Sequence, residues 1–277
     1  MVKLEQRELE RIANKLRIRT LEMLFHAQAG HPGGSLSCAD ILAALYFNVM
    51  RIDPNNPKWE DRDRFILSKG HAAPILYATL AERGYISDDV LNTYDEINSC
   101  LQAHPCMVHT PGVDMSSGSL GQGLSVAVGM GIGAKLLGKD SRFYCLLGDG
   151  ELQEGQVWEA AMAAPRFGCD NVVAIVDYNR VQLLDFVDNI VPIEPLPEKW
   201  LAFNWNVMEI DGHDIGEIIA ACEAAKEVKG KPTVIIAHTI KGKGVSFMEN
   251  TWQWHSKVMN QAQYDQALAE LKAVEVK

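Results

Sequence analysis

The chain has little of what would send a protein to a membrane, to nucleic acid or to an oxidising compartment. No apolar run approaches the roughly 20 residues that a bilayer-spanning helix needs. The opening stretch MVKLEQRELERI is charged and helix-like, so it does not read as a signal peptide. Positive charge is scarce: 26 Lys and Arg stand against 36 Asp and Glu, a net charge of −10. That argues against general binding to nucleic acid or to an anionic membrane surface. An anionic ligand would have to find its positive partner locally, in a metal ion, a helix N-terminus or a few His and Lys. The six cysteines, at 38, 100, 106, 145, 169 and 222, form no CxxC pair. Cys145 sits in an apolar run, which suits a reduced, buried thiol and a cytoplasmic setting. Internal repeats, low-complexity segments and a convincing domain boundary are also missing, so residues 1–277 read as one domain.

What the chain does have is alternation. Short β-rich runs at 65–67, 143–147, 172–176, 207–210 and 233–237 alternate with helix-like stretches at 73–83, 120–137, 154–166, 214–228 and 260–273. Before them, Leu9, Ile12, Leu16, Met23 and Ala27 predict an amphipathic helix over 4–29, with Gly30 suited to its C-terminal cap. Ser37-Cys38-Ala39-Asp40 predicts a capping box that opens a helix over 38–50. Residues 185–200, rich in Pro and acid, predict a long surface loop. Continuous apolar strands between helices imply an α/β fold, a mostly parallel sheet with helices on both faces.

In such sheets ligands bind beyond the carboxyl ends of the strands. The segments expected there are Ser68-Lys69-Gly70-His71, Gly148-Asp149-Gly150, Asp177-Tyr178-Asn179-Arg180-Val181, Asp211-Gly212-His213-Asp214 and His238-Thr239. Asp149 and Asn179 are one βαβ unit apart, so parallel strands bring both to the same edge. An Asp carboxylate and an Asn carbonyl are hard oxygen ligands that suit Mg²⁺ or Ca²⁺ rather than zinc. Gly148 and Gly150 allow close backbone approach, and a following helix N-terminus favours an anion. Together they read as a divalent metal bridging a diphosphate. A bare GDG is more often a turn with a capping Asp; the second oxygen ligand one unit later tips the balance. Glu154 and Glu159, five apart on an expected helix, point about 140° from each other and cannot share one metal.

These residues carry a family resemblance. GDG followed by Asn179 near the end of the next strand resembles the thiamine-diphosphate motif. The wider chain resembles the N-terminal, diphosphate-binding half of transketolase, through AGHPGGSLSCADILAALYF (29–47), DRDRFILSKGHAAPILYATLAERGY (61–85), HTPGVDMSSGSLGQGLSVAVGMGIGAKLLG (109–138), LLGDGELQEGQVWEAAMAA (146–164), NVVAIVDYNRVQ (171–182) and IDGHD (210–214). The first of these segments differ from those of deoxyxylulose-phosphate synthase, a relative. The resemblance implies that Asp149, Asn179 and the Val181 carbonyl hold Mg²⁺. It implies cofactor contacts from Gly148, Gly150, Glu151 and His71, with the Gly118-Ser119-Leu120 backbone facing the cofactor rings. His31, His71, His104 and His255 match histidines that bind sugar hydroxyls and move protons, and Glu154 and Glu159 match an acidic network across a subunit interface. The pattern departs from the family at Cys106, where Glu is common after His-Pro, and at Ser119, where Pro is common.

The resemblance also implies what would have to come from elsewhere. A full transketolase continues through a pyrimidine-binding domain and a C-terminal domain, and the glutamate that activates the cofactor lies there. The expectation is therefore a natural split subunit that works with a C-terminal partner chain, in a heterotetramer, on sugar phosphates. A non-catalytic cofactor-binding scaffold or regulator, or a subunit of another thiamine-diphosphate enzyme resembling deoxyxylulose-phosphate synthase, is the chief alternative. A dinucleotide-binding dehydrogenase is a weaker one, suggested by Gly129-Met130-Gly131-Ile132-Gly133-Ala134 but expected to fail because that run continues a helix. His26, His109, His213 and His238 read as surface, turn or capping residues, and Lys241-Gly242-Lys243-Gly244 fits either a phosphate contact or a solvated basic loop.

Overall fold

The computed structural model describes residues 3–275. Five strands, β1 (Arg64–Leu67), β2 (Phe143–Gly148), β3 (Val172–Tyr178), β4 (Asn206–Asp211) and β5 (Thr233–His238), form one sheet in the order β1-β2-β3-β5-β4. Every neighbouring pair is parallel. Side chains alternate across a strand, and here both faces are covered. Leu67, Tyr144, Leu146, Val173, Ile175 and Ile235 pack with the core under α1 (Gln6–Ala27), α3 (Ala39–Ala44), α4 (Ala73–Arg83) and α9 (Ile215–Glu227). Ile66, Cys145, Leu147, Ala174, Val176 and Ile236 pack the opposite way, under α5 (Gln122–Leu136), α6 (Gly155–Arg166) and α8 (Leu196–Ala202). A third apolar cluster joins the outer side of α1 to α2 (Pro32–Leu36) and α10 (Gln261–Glu275), with Phe25 and Tyr264 stacked at 4.1 Å.

The five expected strands are all present, and the α/β reading stands. Local details differ. The first helix ends at Ala27 with Gln28 in the left-handed cap position, where the sequence pointed to Gly30. The capping box does not form. Cys38 is the N-cap, the Ser37 hydroxyl turns inward to Asp177, and Asp40 pairs with Arg17. The expected helix over 38–50 runs as α3 and then widens into a π-turn over Leu45–Val49. Residues 185–200 are not a plain surface loop. They hold α7 (Val187–Ile190) and the start of α8, and Val187, Ile193, Leu196 and Trp200 are buried in the core. Apolar anchors inside an acidic, Pro-containing stretch override its loop-like composition.

Two local solutions let helices pack closely on the sheet away from the carboxyl edge of its strands. Pro165 lies inside α6 and has no N–H for the Ala161 carbonyl. The Trp205 indole N–H donates to that carbonyl instead, at 2.8 Å. Gly131 lies mid-helix in α5, where an added Cβ would come within 2.7 Å of Val172 Cγ2, so glycine sets how close helix and strand approach. The Gly129–Ala134 run lies inside a helix, with Gly131 alone in close packing, and is not a strand-to-helix phosphate loop, so the dehydrogenase alternative falls. Among the described residues no helix is long and apolar enough to cross a membrane, and the cysteines are unpaired.

Candidate active site

The turns that follow β1, β2 and β3 meet at the carboxyl edge of the sheet and enclose a cleft of about 170 Å³. Its lining includes Lys69, His71, Leu120, Gly148, Asp149, Gly150, Glu151, Asn179, Val181, Gln182, Lys241 and His255. The β2 and β3 turns are tied together by Asp149, which is buried. One of its oxygens accepts the Gly150 N–H at 2.7 Å and the other accepts the Arg180 N–H. Arg180 adopts a left-handed φ of 62°, a conformation that non-glycine residues rarely take outside functional turns. Next to it, the Val181 N–H donates to Asn179 Oδ1 and Asn179 Nδ2 donates to Asp177 Oδ2, both at 3.1 Å. The Val181 carbonyl accepts from Lys241 Nζ at 2.7 Å, and that ammonium also donates to His255 Nδ1 at 2.9 Å.

Four of the histidines singled out in the sequence converge. His31 has ring centroids 5.3 Å from His71, 5.4 Å from His255 and 6.4 Å from His104, and His71 stacks on His255 at 5.0 Å. Glycine at position 70 lets the turn carrying His71 sit close to the Gly118 segment: a Cβ on Gly70 would lie 2.8 Å from the Gly118 nitrogen. Burial lowers the His31 and His71 imidazoles, and it takes His255, with help from the Lys241 charge, down to about 3. These rings are neutral near pH 7, so each offers one donor and one acceptor nitrogen.

The acids divide by environment. Burial, reinforced by the Asp177 charge, pushes the Asp149 carboxyl up to about 7. Burial lowers the Lys241 ammonium to about 8, against the pull of Asp149. Glu151 is buried, and its oxygens are engaged by the Ser68 hydroxyl, the Gly121 N–H at 2.8 Å and the Gly148 N–H at 3.0 Å. It braces the cleft wall. Glu154 and Glu159 are exposed and do not line the cleft. Glu154 is the N-cap of α6 rather than a helical residue, so the 140° argument does not apply to the pair. A short 3-10 turn over Gly150–Gln153, not a full helix, follows Asp149 directly. Gly118, Ser119 and Leu120 form the segment beside it; Leu120 lines the cleft and Ser119 is exposed.

Several site residues were not singled out from the sequence. Lys69 and Asp177 form a buried ion pair at 2.5 Å. Burial acts to raise the Asp177 carboxyl, but Lys69 and hydrogen bonds from Ser37 and Thr239 outweigh it and hold it low. Lys241 is buried, so the solvated-loop reading of its segment is wrong at that residue. His213 donates from Nδ1 to Asp40 at 2.8 Å and accepts the Ile240 N–H, a structural bridge outside the cleft.

A divalent metal with a diphosphate suits this donor set. Asp149, Asn179 and Val181 bring hard oxygens to one cleft, and among the described residues no cluster of His, Cys, Asp and Glu suits a softer metal. Gly150 lies close to Gln182, and a Cβ there would come within 3.1 Å of the Gln182 side chain. Among the described residues the Gln182 amide nitrogen and His31 Nδ1 are buried without partners, which leaves polar groups available to a ligand.

Comparison with known proteins agrees with this geometry. Residues 9–272 match the family model described as transketolase, thiamine diphosphate binding domain. The chain is 46% identical over 268 residues to a 6-deoxy-6-sulfo-D-fructose transketolase subunit of Clostridium sp., covering 97% of this chain and 98% of that protein. It is 43% identical over 263 residues to one of the subunits of apulose-4-phosphate transketolase from Phocaeicola vulgatus, covering 95% and 93%. The crystal structure of Campylobacter jejuni transketolase superposes with a TM-score of 0.91 at 35% identity, over 97% of this chain but only 43% of that one. The chain belongs to the transketolase family, and residues 9–272 match its thiamine diphosphate binding domain.

Proposed function

We propose that this chain is the cofactor-binding subunit of a two-chain transketolase, which moves a two-carbon ketol group from a ketose to an aldose. The observation that carries the reading is the meeting of oxygen donors with four neighbouring histidines at one sheet edge. Asp149, Asn179 and the Val181 carbonyl would hold Mg²⁺, or Ca²⁺ in its place. Gly150, Gln182 and His71 would meet diphosphate oxygens, and the Gly118-Ser119-Leu120 backbone would face the rings. Thiamine diphosphate, when bound, supplies a nucleophilic carbon and an electron sink for breaking a bond next to a carbonyl. The neutral rings of His31, His71 and His255 suit hydrogen bonding to sugar hydroxyls, and His104 extends the same wall; the values of His71 and His255 are held too low for them to carry protons near pH 7.

The substrates would be sugars with a terminal anionic group. The two relatives matched nearly end to end are named for a sulfo-fructose and for apulose 4-phosphate. Both are also named as subunits, which supports a partner chain that carries the pyrimidine-binding and C-terminal domains. We take the assembly to be a heterotetramer in the cytoplasm, with residues 1–277 as its cofactor-binding domain and the exposed Glu154 and Glu159 at a subunit boundary. With the partner present, Asp149→Ala should abolish Mg²⁺-dependent binding of thiamine diphosphate measured by calorimetry. Unchanged affinity would overturn the metal assignment.

A further inference from the structure

The metal assignment leaves one buried group unused. Asp177 has no exposed surface and lies at the end of β3, two residues before Asn179. Four segments donate to its carboxylate. Oδ2 accepts Lys69 Nζ at 2.5 Å, the Ser37 hydroxyl at 2.6 Å and Asn179 Nδ2 at 3.1 Å, and Oδ1 accepts the Thr239 hydroxyl. Lys69 also donates to the Gly34 carbonyl at 2.6 Å, on the helix that follows His31. Such a carboxylate is costly to bury, and a core could hold an apolar residue here at lower risk. What the carboxylate supplies that an apolar residue cannot is direction. An amide donates from nitrogen and accepts at oxygen, so the acceptor at Asp177 decides which end of Asn179 turns away from it.

We propose that Asp177, charge-balanced by Lys69, is the positioning residue of the metal site: by accepting from Asn179 Nδ2 it presents Asn179 Oδ1 to the cation. The inference rests on the cofactor reading above and deepens it. It also assigns the Lys69 link a purpose, because one ion pair then holds the metal turn and the Gly34 turn beside the histidines in fixed relation. Partners of this kind around a metal ligand are worth about 10- to 100-fold in metal affinity when removed.

The test separates direction from charge balance. Asp177→Asn leaves Lys69 buried without its counter-charge and lets the new amide turn its NH₂ toward Asn179. Lys69→Met/Asp177→Leu removes the charge problem and removes the acceptor altogether, so the loss of direction remains. In the assembled enzyme, Mg²⁺-dependent thiamine diphosphate affinity is read by calorimetry, and thermal stability is read separately without Mg²⁺ or cofactor. The single variant should lose both. The double variant should regain most of the stability while its affinity stays at least about tenfold down. Recovery of affinity together with stability would overturn the proposal, because Asp177 would then serve folding alone. Thr239→Val covers the case in which both buried variants fail to fold. It keeps the side-chain shape at a half-buried site but removes one donor to Asp177, so it should lower the melting temperature modestly without preventing folding and weaken affinity a few-fold; unchanged affinity overturns the proposal. Wild-type enzyme that binds no thiamine diphosphate would sink the cofactor reading and this inference with it. Wild-type binding with unaffected variants overturns the inference alone.

Discussion

At the scale of single residues, the site trades stability for function, and Asp149 shows it most plainly. Its carboxyl has an ordinary value of 3.8 and rises to about 7 on burial. Between those values the folded chain binds a proton that the unfolded chain has released, so stability falls as pH rises from about 4 to about 7. Asp149→Asn removes that dependence at a fixed cost, because its amide NH₂ must face one of the two N–H donors, Gly150 or Arg180. In urea titrations without Mg²⁺, the stability difference between variant and wild type should therefore move in the variant's favour by a few kcal/mol from pH 5 to pH 8. A difference that stays constant with pH would refute the burial argument. Asp149 was legible in the sequence because GDG and an Asn one βαβ unit later form a pattern of residues that are close along the chain. Asp177 and Lys69 were not, because their pairing spans 108 residues and each looks like an ordinary strand-end polar residue. A charged residue inside the buried strand β3 was the available signal.

At the scale of elements, a second buried carboxylate holds the helices in place. Asp40 on α3 receives both Arg17 guanidinium nitrogens from α1, at 3.2 and 2.5 Å, and the His213 ring from the turn before α9. Burial acts to raise Asp40, but Arg17 and His213 outweigh it and take it from 3.8 to about 2. The folded value is depressed, so the contribution is complete above about pH 4 and is lost as pH falls toward 2, about 2 kcal/mol in all. Asp40→Asn should flatten the acid limb of stability between pH 4 and pH 2. It should also destabilise the chain at pH 7 by about 3 kcal/mol, since Arg17 is left buried and under-paired. An unaltered acid limb in chemical denaturation would show that the clip carries no linkage. The same residue explains one misreading. Asp40 fits a capping box by spacing, yet tertiary pairing captures it and Ser37 turns to Asp177. The strands were legible because continuous apolar runs buried on both faces have few other homes. The helices within 187–202 were not, since their buried anchors are thinly spread among Pro and acid.

At the scale of the whole molecule, the surface beside the cleft is unfinished. Leu183 lines the cleft yet is 51% exposed, and Leu184, Phe186, Ile190 and Val191 after it are exposed as well. Leu136 and Leu137 are exposed at the end of α5, whose Gly129 and Gly133 face open space. Apolar groups scattered singly mean little, but five exposed ones within residues 183–191, the first of them lining the cleft, fit a partner surface. The exposed Glu154 and Glu159 fit the same reading, because they contribute nothing to the cleft itself. On the proposed reading the carboxylates that crowd the end of β2 would serve different ends: Asp149 the metal, and Glu154 and Glu159 a neighbouring chain, while Glu151 braces the cleft wall. The decisive measurement is a coupled assay of the purified chain with Mg²⁺, thiamine diphosphate, a ketose phosphate and an aldose phosphate, with and without the partner chain. Ketol transfer should appear only when both chains are present, and its rate should saturate at equal amounts of the two. Robust turnover by the chain alone would refute the half-enzyme reading, because the cleft would then have to supply the activating acid from its own residues.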